Sequence, residues 1–509
     1  DYYASRGLGD VYKRQGIDYL NKEFQREDDT TRIVRIWDQT IQGDKDIYDL
    51  KYGTEYTEDQ INQAISLQTS GGDPYSIVPS KDDIGHGTRL AGIIGGRGIN
   101  PDLKGAAPDC QFVIVKLSRA TKVELDAAVI DKTDVPSYTP WSALLALRYI
   151  IAVARELKRP VVVFEPLGSN MGSHTGNGIV EQSINNYSAQ SGTVVVVPTG
   201  NQGNTDTHTE GIIESSGDIK DIEIRVGEKQ KNLPIEIWVN KPNRVKLSIV
   251  SPSGEVIDNL EAKNTNNERI KFLYEGTEMI VNFTSPELST GDSLIFIRAY
   301  NLKAGIWKFR LTGQSIVDGK YYAWIPQREL LDSETKFLNS VGYTTLTLSS
   351  TSSGAISVAY YNQDDNSVIS ESGRGYTRYG MIKPDIAAGG FNAIVTNPGG
   401  GTAVISGSSV AGAVVAGCCA LILQWAVVDK NYPDIYAEQI KTYIISGAKG
   451  RPGDVYPNKE WGYGMFDMQG VFDRIRETYN PRSDEDYEEY RVNNLFIRMP
   501  KYRHNRTIN

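Results

Sequence analysis

At 509 residues the chain is long enough for two or three domains, and its 39% hydrophobic and 23% charged residues are the balance of a folded globular protein, which excludes the disordered and fibrous classes. A formal net charge of -9 with no long run of Lys or Arg excludes a nucleic-acid footprint. Three cysteines, Cys110, Cys418 and Cys419, exclude a disulfide framework and read as small buried side chains. Residues 1–15 contain neither a basic patch followed by an apolar stretch nor a cleavage site, so no export signal is read there.

From Gly16 to about Gly211, β-rich runs alternate with helical patterns: Phe112 to Leu117, Trp141 to Arg155, Val161 to Phe164 and Val194 to Val197. That alternation predicts an α/β domain with a mainly parallel sheet and helices on both faces. From about Ile212 to Ser340 the pattern changes to short alternating strands, Ile222/Ile224/Val226, Ile235/Ile237/Val239, Val245/Leu247/Ile249 and Trp307/Phe309/Leu311. Turns at Ser253-Gly254 and Ala304-Gly305 separate them, as in an inserted all-β jelly roll. The α/β pattern returns near Thr344 and ends in a helix around Gln469 to Tyr479. The expected organisation is therefore a discontinuous domain, 16–211 and 341–480, an insert at 212–340 and a tail at 481–509. The stretch Val404 to Val428 is nearly free of charge, but its glycines and serines fit a helix packed on all sides rather than a membrane span.

Three glycine-rich segments carry chemistry. Gly85-His86-Gly87-Thr88 opens a helix with an apolar face, and its glycines let a substrate backbone approach. Gly407-Ser408-Ser409-Val410-Ala411-Gly412 also runs into a helix, where backbone N–H groups of the first turn are unpaired and suited to a developing oxyanion. Thr199-Gly200-Asn201-Gln202-Gly203 follows a buried strand, at the carboxyl end where α/β sheets place ligands. Each has an ordinary reading when taken alone: a turn histidine, a helix cap that either serine could supply, and a turn asparagine.

Together, in the order His, Asn, Ser, the segments resemble the subtilase family of serine peptidases. The likeness extends to Gly105-Ala106-Ala107-Pro108 and Lys383-Pro384-Asp385-Ile386-Ala387-Ala388-Gly389, and runs from Gly16 to about Phe472 outside the insert. It implies a subtilisin-like fold and endopeptidase activity on a protein or peptide substrate, with His86 as general base, Ser409 as nucleophile and Asn201 as oxyanion donor. Ser408 stands where the family has Thr, which selects Ser409. Leu167, Gly168 and Ser169 would be the strand that binds substrate by strand addition, although Val163-Phe164-Glu165-Pro166 replaces a more apolar, Ser-containing run. The insert, Trp37-Asp38-Gln39-Thr40 and the tail Asn494 to Pro500 further resemble the clostridial Csp group. Active members of that group process the precursor of a spore cortex-degrading hydrolase, which would place the protein in a spore or outside a bacterial cell. No cofactor is implied. Subtilases often bind calcium through loop carboxylates, but no cluster dense enough to assign as a metal site stands out.

The family pattern begins abruptly at Gly16-Ile17-Asp18-Tyr19, which puts the triad aspartate at position 14, occupied here by Arg14. Val11-Tyr12-Lys13-Arg14-Gln15 reads as translated sequencing adapter, and residues 1–15 as foreign to the natural protein, in place of a prosegment, first strand and Asp turn. Asp10, Asp18 and Asp38 lie nearby, but none falls in the matching turn and none is assigned to catalysis. The rival reading is a natural loss: a catalytically dead pseudoprotease that binds a partner or senses a germinant.

Overall fold

The run Val194–Val197 forms the strand Thr193–Pro198, buried at every position as a parallel strand covered on both faces must be. The computed structural model describes residues 16–43, 47–261 and 267–478, with the backbone of 10–11, 487–492 and 495–500. Arg14 and the rest of 1–15, apart from that two-residue backbone, lie outside the described residues. Thr193–Pro198 pairs in parallel with Val161–Phe164 on one side and Ile356–Asn362 on the other, and the latter pairs in parallel with Ile386–Gly389. A second, three-stranded sheet holds Thr54–Thr57, Ile33–Asp38 and Phe112–Lys116, the last two parallel. Among the described residues the mainly parallel sheet thus comes in two pieces, whose facing strands are Phe112–Lys116 and Val161–Phe164.

Helices cover both faces. Helix Pro140–Leu157 starts with Thr139 accepting from the Ser142 N–H and Pro140 in the first turn, and packs on both facing strands. On the other face, helix Ser408–Leu423 packs against Val161–Phe164, Thr193–Pro198, Ile356–Asn362 and Ile386–Gly389, and against helix His86–Gly95. With its continuation to Val428 this helix is long and apolar enough to cross a membrane, yet 67% of its most apolar window is buried inside the protein. Its Ala and Gly content permits that burial: a Cβ at Gly417 would lie 2.8 Å from the Ile94 carbonyl oxygen and 2.7 Å from the Ala106 Cβ.

The alternating segment forms two antiparallel sheets. One is ordered Asn267–Phe272, Thr277–Thr284, Ser293–Tyr300, Leu233–Val239, Lys320–Trp324, His208–Ile212; the other Val256–Leu260, Arg244–Val250, Gly305–Ser315, Ile219–Val226, Lys336–Phe337. Ile222, Ile224, Leu247, Ile249, Trp307 and Phe309 of the second face Ile235, Ile237, Val281 and Ile295 of the first across a common core, each buried as period-two alternation requires. The outer face of the first sheet presents Trp238, Leu294, Phe296, Tyr322 and Trp324 to Met171. At this seam Arg378 stacks 4.7 Å over the Trp238 ring and pairs with Asp292, with both side chains fully buried. In the tail, Tyr487–Val492 and Leu495–Pro500 form an antiparallel hairpin.

Candidate active site

His86 is the first residue of its helix, and Gly85 ahead of it has φ of 86°, a left-handed conformation that disfavours other residues. Gly85 has no side chain to cap the helix, and Asp82 does so from outside. Its Oδ1 accepts from the Gly85 N–H at 2.7 Å, and its Oδ2 accepts from the Thr88 N–H at 2.9 Å and the Thr88 hydroxyl at 2.6 Å. Burial pushes the Asp82 carboxyl above its usual range, against those same hydrogen bonds, which favour the charged form. Asp82 was not singled out in the sequence, because Asp82-Asp83 looks like any pair of loop carboxylates.

Ser409 lies in the first turn of its helix, only 5% exposed, after Gly407 with φ of 143°. Ser408 is fully buried, and its hydroxyl has no hydrogen-bond partner. The Ser408 N–H donates to Asn201 Oδ1 at 3.0 Å. Only the carbonyl end of an amide can accept, so this bond orients the group and turns the Asn201 NH2 away as a donor. A Cβ at Gly407 would lie 3.3 Å from Asn201 Nδ2, so a bare glycine leaves room at that donor. Asn201 is held in place by its turn: the Thr199 N–H donates to Val358 O, and Gly200 O accepts from the Gly373 N–H at 3.0 Å.

The structure therefore brings Asn201 to the serine turn, and the helix that His86 opens packs against the serine helix. Gly417, eight residues after Ser409, seats on Ile94, eight residues after His86, an offset that fits two helices starting from one edge of the sheet.

Leu167 and Ser169 are buried; Gly168 O accepts from Gln327 Nε2 at 2.6 Å, and Ser169 O from the Leu348 N–H at 3.0 Å. Asp18 accepts from the Gly399 N–H at 2.8 Å and donates its own N–H to Thr88 Oγ1. Asp38 accepts from the Thr40 N–H at 2.9 Å and the Ser80 hydroxyl at 2.6 Å, with Lys116 Nζ at 3.6 Å. The Lys383-Pro384-Asp385 motif forms a buried ion pair at 2.6 Å, and Asp385 also accepts from the Ser357 N–H. Burial lowers the Lys383 ammonium to about 8. Cys418 and Cys419 are buried in the serine helix, and burial pushes the Cys418 thiol up to about 12. Among the described residues no three His, Cys, Asp or Glu side chains converge as a metal site would.

The Subtilase family profile matches residues 29–222 and 336–464, stopping and resuming within the sandwich. The solved structure of the Clostridium perfringens CspB protease is similar over 91% of this chain and 92% of that one, with 28% identity and a TM-score of 0.81. Subtilisin-like protease SBT6.1 of Arabidopsis thaliana is 29% identical over 172 residues, 31% of this chain and 16% of that protein. The chain thus spans about a sixth of that curated relative. With the fold, the order of the three segments and these matches in agreement, the chain belongs to the subtilase family of serine peptidases.

Proposed function

We propose that this chain derives from a serine endopeptidase in which Ser409 is the nucleophile. His86 takes the Ser409 proton as the hydroxyl oxygen attacks a peptide carbonyl, then returns it to the leaving amine. The Asn201 NH2 and a first-turn N–H of the serine helix hold the oxyanion. The observation that carries this reading is the Ser408 N–H to Asn201 Oδ1 hydrogen bond, which fixes an amide donor beside the helix start where Ser409 sits. The acid that would orient His86 belongs at position 14, where Arg14 stands. In subtilisin, losing the acid costs roughly 3 × 10⁴ in turnover. The chain as written is therefore expected to be nearly inert.

As substrate we propose the precursor of a spore cortex-degrading hydrolase, on the likeness to the CspB protease over nine-tenths of both chains. The test is peptide turnover by a chain carrying an aspartate at position 14 behind an apolar strand. Ser409→Ala should abolish turnover. Asn201→Ala should lower it roughly 10²–10³-fold, the loss seen for such a donor in subtilisin. Ser408→Ala should retain it and leave stability unchanged or slightly raised, because the hydroxyl removed is buried without a partner. No turnover in the repaired chain would favour the alternative, a binding or germinant-sensing protein.

A further inference from the structure

Strand Thr193–Pro198 delivers the turn Thr199 to Gly203 at its carboxyl end, and main-chain bonds hold that turn at three points. The Thr199 N–H donates to Val358 O, Gly200 O accepts from the Gly373 N–H, and the Gly203 N–H donates to Glu371 O, each at 3.0 Å. Between the last two anchors stand Asn201 and Gln202. Asn201 turns its side chain to the serine helix, where Oδ1 accepts from the Ser408 N–H. Gln202 turns its side chain to the sandwich.

Gln202 is only 3% exposed, and a buried amide is costly unless both of its ends are bonded. Here both are. Its Oε1 accepts from the Arg328 N–H at 3.0 Å and the Thr205 hydroxyl at 3.1 Å, and its Nε2 donates to Glu329 Oε2 at 3.1 Å. Arg328–Leu330 is a single 3-10 turn, just after the sandwich strand Lys320–Trp324. It is itself fixed on several sides. Arg328 Nη1 donates to Thr335 O at 2.7 Å, Lys132 Nζ donates to Glu329 O at 3.0 Å, and Leu330 is buried against Leu125, Ala128 and Ile130. A turn of the inserted sandwich therefore grips the residue that follows Asn201 in the chain.

We infer that Gln202 is a positioning residue for Asn201, and that the sandwich turn Arg328–Leu330 is the fixed point to which it is held. Its amide adds a fourth anchor to the three main-chain ones, at the one neighbour of Asn201 that the main-chain bonds leave unheld. Misplacing a catalytic group by 1 Å can cost about 10²-fold in rate, so an anchor one residue away from an oxyanion donor has a kinetic consequence. The insert in this way completes the Asn201 loop. The kinetic consequence rests on the peptidase reading; the anchoring itself rests on the hydrogen bonds.

The first measurement uses the chain as it stands. The Ser408 N–H opens its helix with Asn201 Oδ1 as acceptor, so its hydrogen exchange reports whether Asn201 is in place. Gln202→Leu should speed residue-resolved exchange at Ser408 by about tenfold, toward that of Asn201→Ala, while amides of 411–423 keep their protection. Gln202→Glu sets a second carboxylate against Glu329 and should speed it likewise. Adding Glu329→Gln reverses donor and acceptor across the same pair and should restore the slow exchange. Unchanged exchange in Gln202→Leu, or no restoration by the exchanged pair, overturns the inference. In the chain repaired ahead of Gly16, Gln202→Leu should lower kcat about tenfold with KM within about twofold, and cost nothing further in an Asn201→Ala background. The same tenfold loss in that background would show a general loosening and overturn the positioning role. Faster Ser408 exchange with no turnover in the repaired parent would count against the peptidase reading alone. Turnover in the repaired parent with Ser408 exchange unmoved by Gln202→Leu would count against the positioning role alone.

Discussion

Glu181, in the first turn of helix Ile179–Ser188, is fully enclosed, and burial, with the nearby charge of Glu165, pushes its carboxyl up to about 7. Glu165 also accepts from the Ser349 hydroxyl at 3.1 Å. A carboxyl whose folded pKa is raised above its unfolded value near 4.5 favours the folded state fully below pH 4.5, and that contribution is lost as pH rises through 7. Wild type should therefore lose stability relative to Glu181→Gln between pH 5 and pH 8, by up to about 3 kcal/mol. Denaturant melts of both proteins across that range check the sign. Such a group is illegible in sequence. Glu181 looks like a helix-start carboxylate facing water, and only the fold shows that it is sealed in. The candidate site residues stand out more readily, because glycines at 85 and 407 mark backbone conformations that few other residues adopt, and His86 and Ser409 follow them. What separates Ser409 from Ser408 was not legible from residue type, since both suit a helix start. The structure adds that Ser408 points its hydroxyl into packed interior while its N–H holds Asn201.

At the scale of elements, periodicity was a good guide where a strand or helix owes its form to its own side chains. Ile222/Ile224/Val226 and Trp307/Phe309/Leu311 lie in the strands Ile219–Val226 and Gly305–Ser315 with those residues in the core. The helix expected at Trp141 to Arg155 runs Pro140–Leu157, one residue longer at its start and two at its end, between its Thr139 cap and Lys158 in a left-handed turn. Elements that depend on a distant partner were harder to read. His208–Ile212 has no alternating pattern and is a strand because it pairs with Lys320–Trp324, more than a hundred residues away. The division of the parallel sheet into two pieces was equally invisible, since the Phe112–Lys116 and Val161–Phe164 sequences read as ordinary central strands. Helix-to-helix spacing gives an element-scale test. A valine at Gly417 would press on the Ile94 backbone, and Gly417→Val should cost about 1–3 kcal/mol. Because it parts the histidine and serine helices, it should lower kcat of the repaired chain more than it raises KM. Steady-state kinetics separate the two.

Across the whole molecule, the sandwich and the α/β domain are joined by polar as well as apolar contacts. Asp292 of the sandwich accepts from Arg378, from the Tyr379 hydroxyl at 2.8 Å and from the Lys241 N–H at 3.0 Å, so its charge is fully satisfied away from water. Removing one member leaves the guanidinium buried and unpaired. Asp292→Ala should therefore cost about 3–5 kcal/mol, seen as a lower melting temperature or as separate unfolding of the two parts by calorimetry. His174 and His208 both stack on Trp324, at 4.1 and 4.4 Å between ring centres, extending the same seam toward the loop after Ser169. The sandwich is further tied to the α/β domain by Gln327, just after its Lys320–Trp324 strand, which donates to the Gly168 carbonyl.

The most direct test is to map a fluorophosphonate adduct by mass spectrometry on the chain repaired with an apolar strand and aspartate ahead of Gly16. The adduct should sit on Ser409, persist in Ser408→Ala and disappear in His86→Ala. An adduct on Ser408, one that survives loss of His86, or none on the folded repaired chain would contradict the assignment of Ser409 as a nucleophile served by His86.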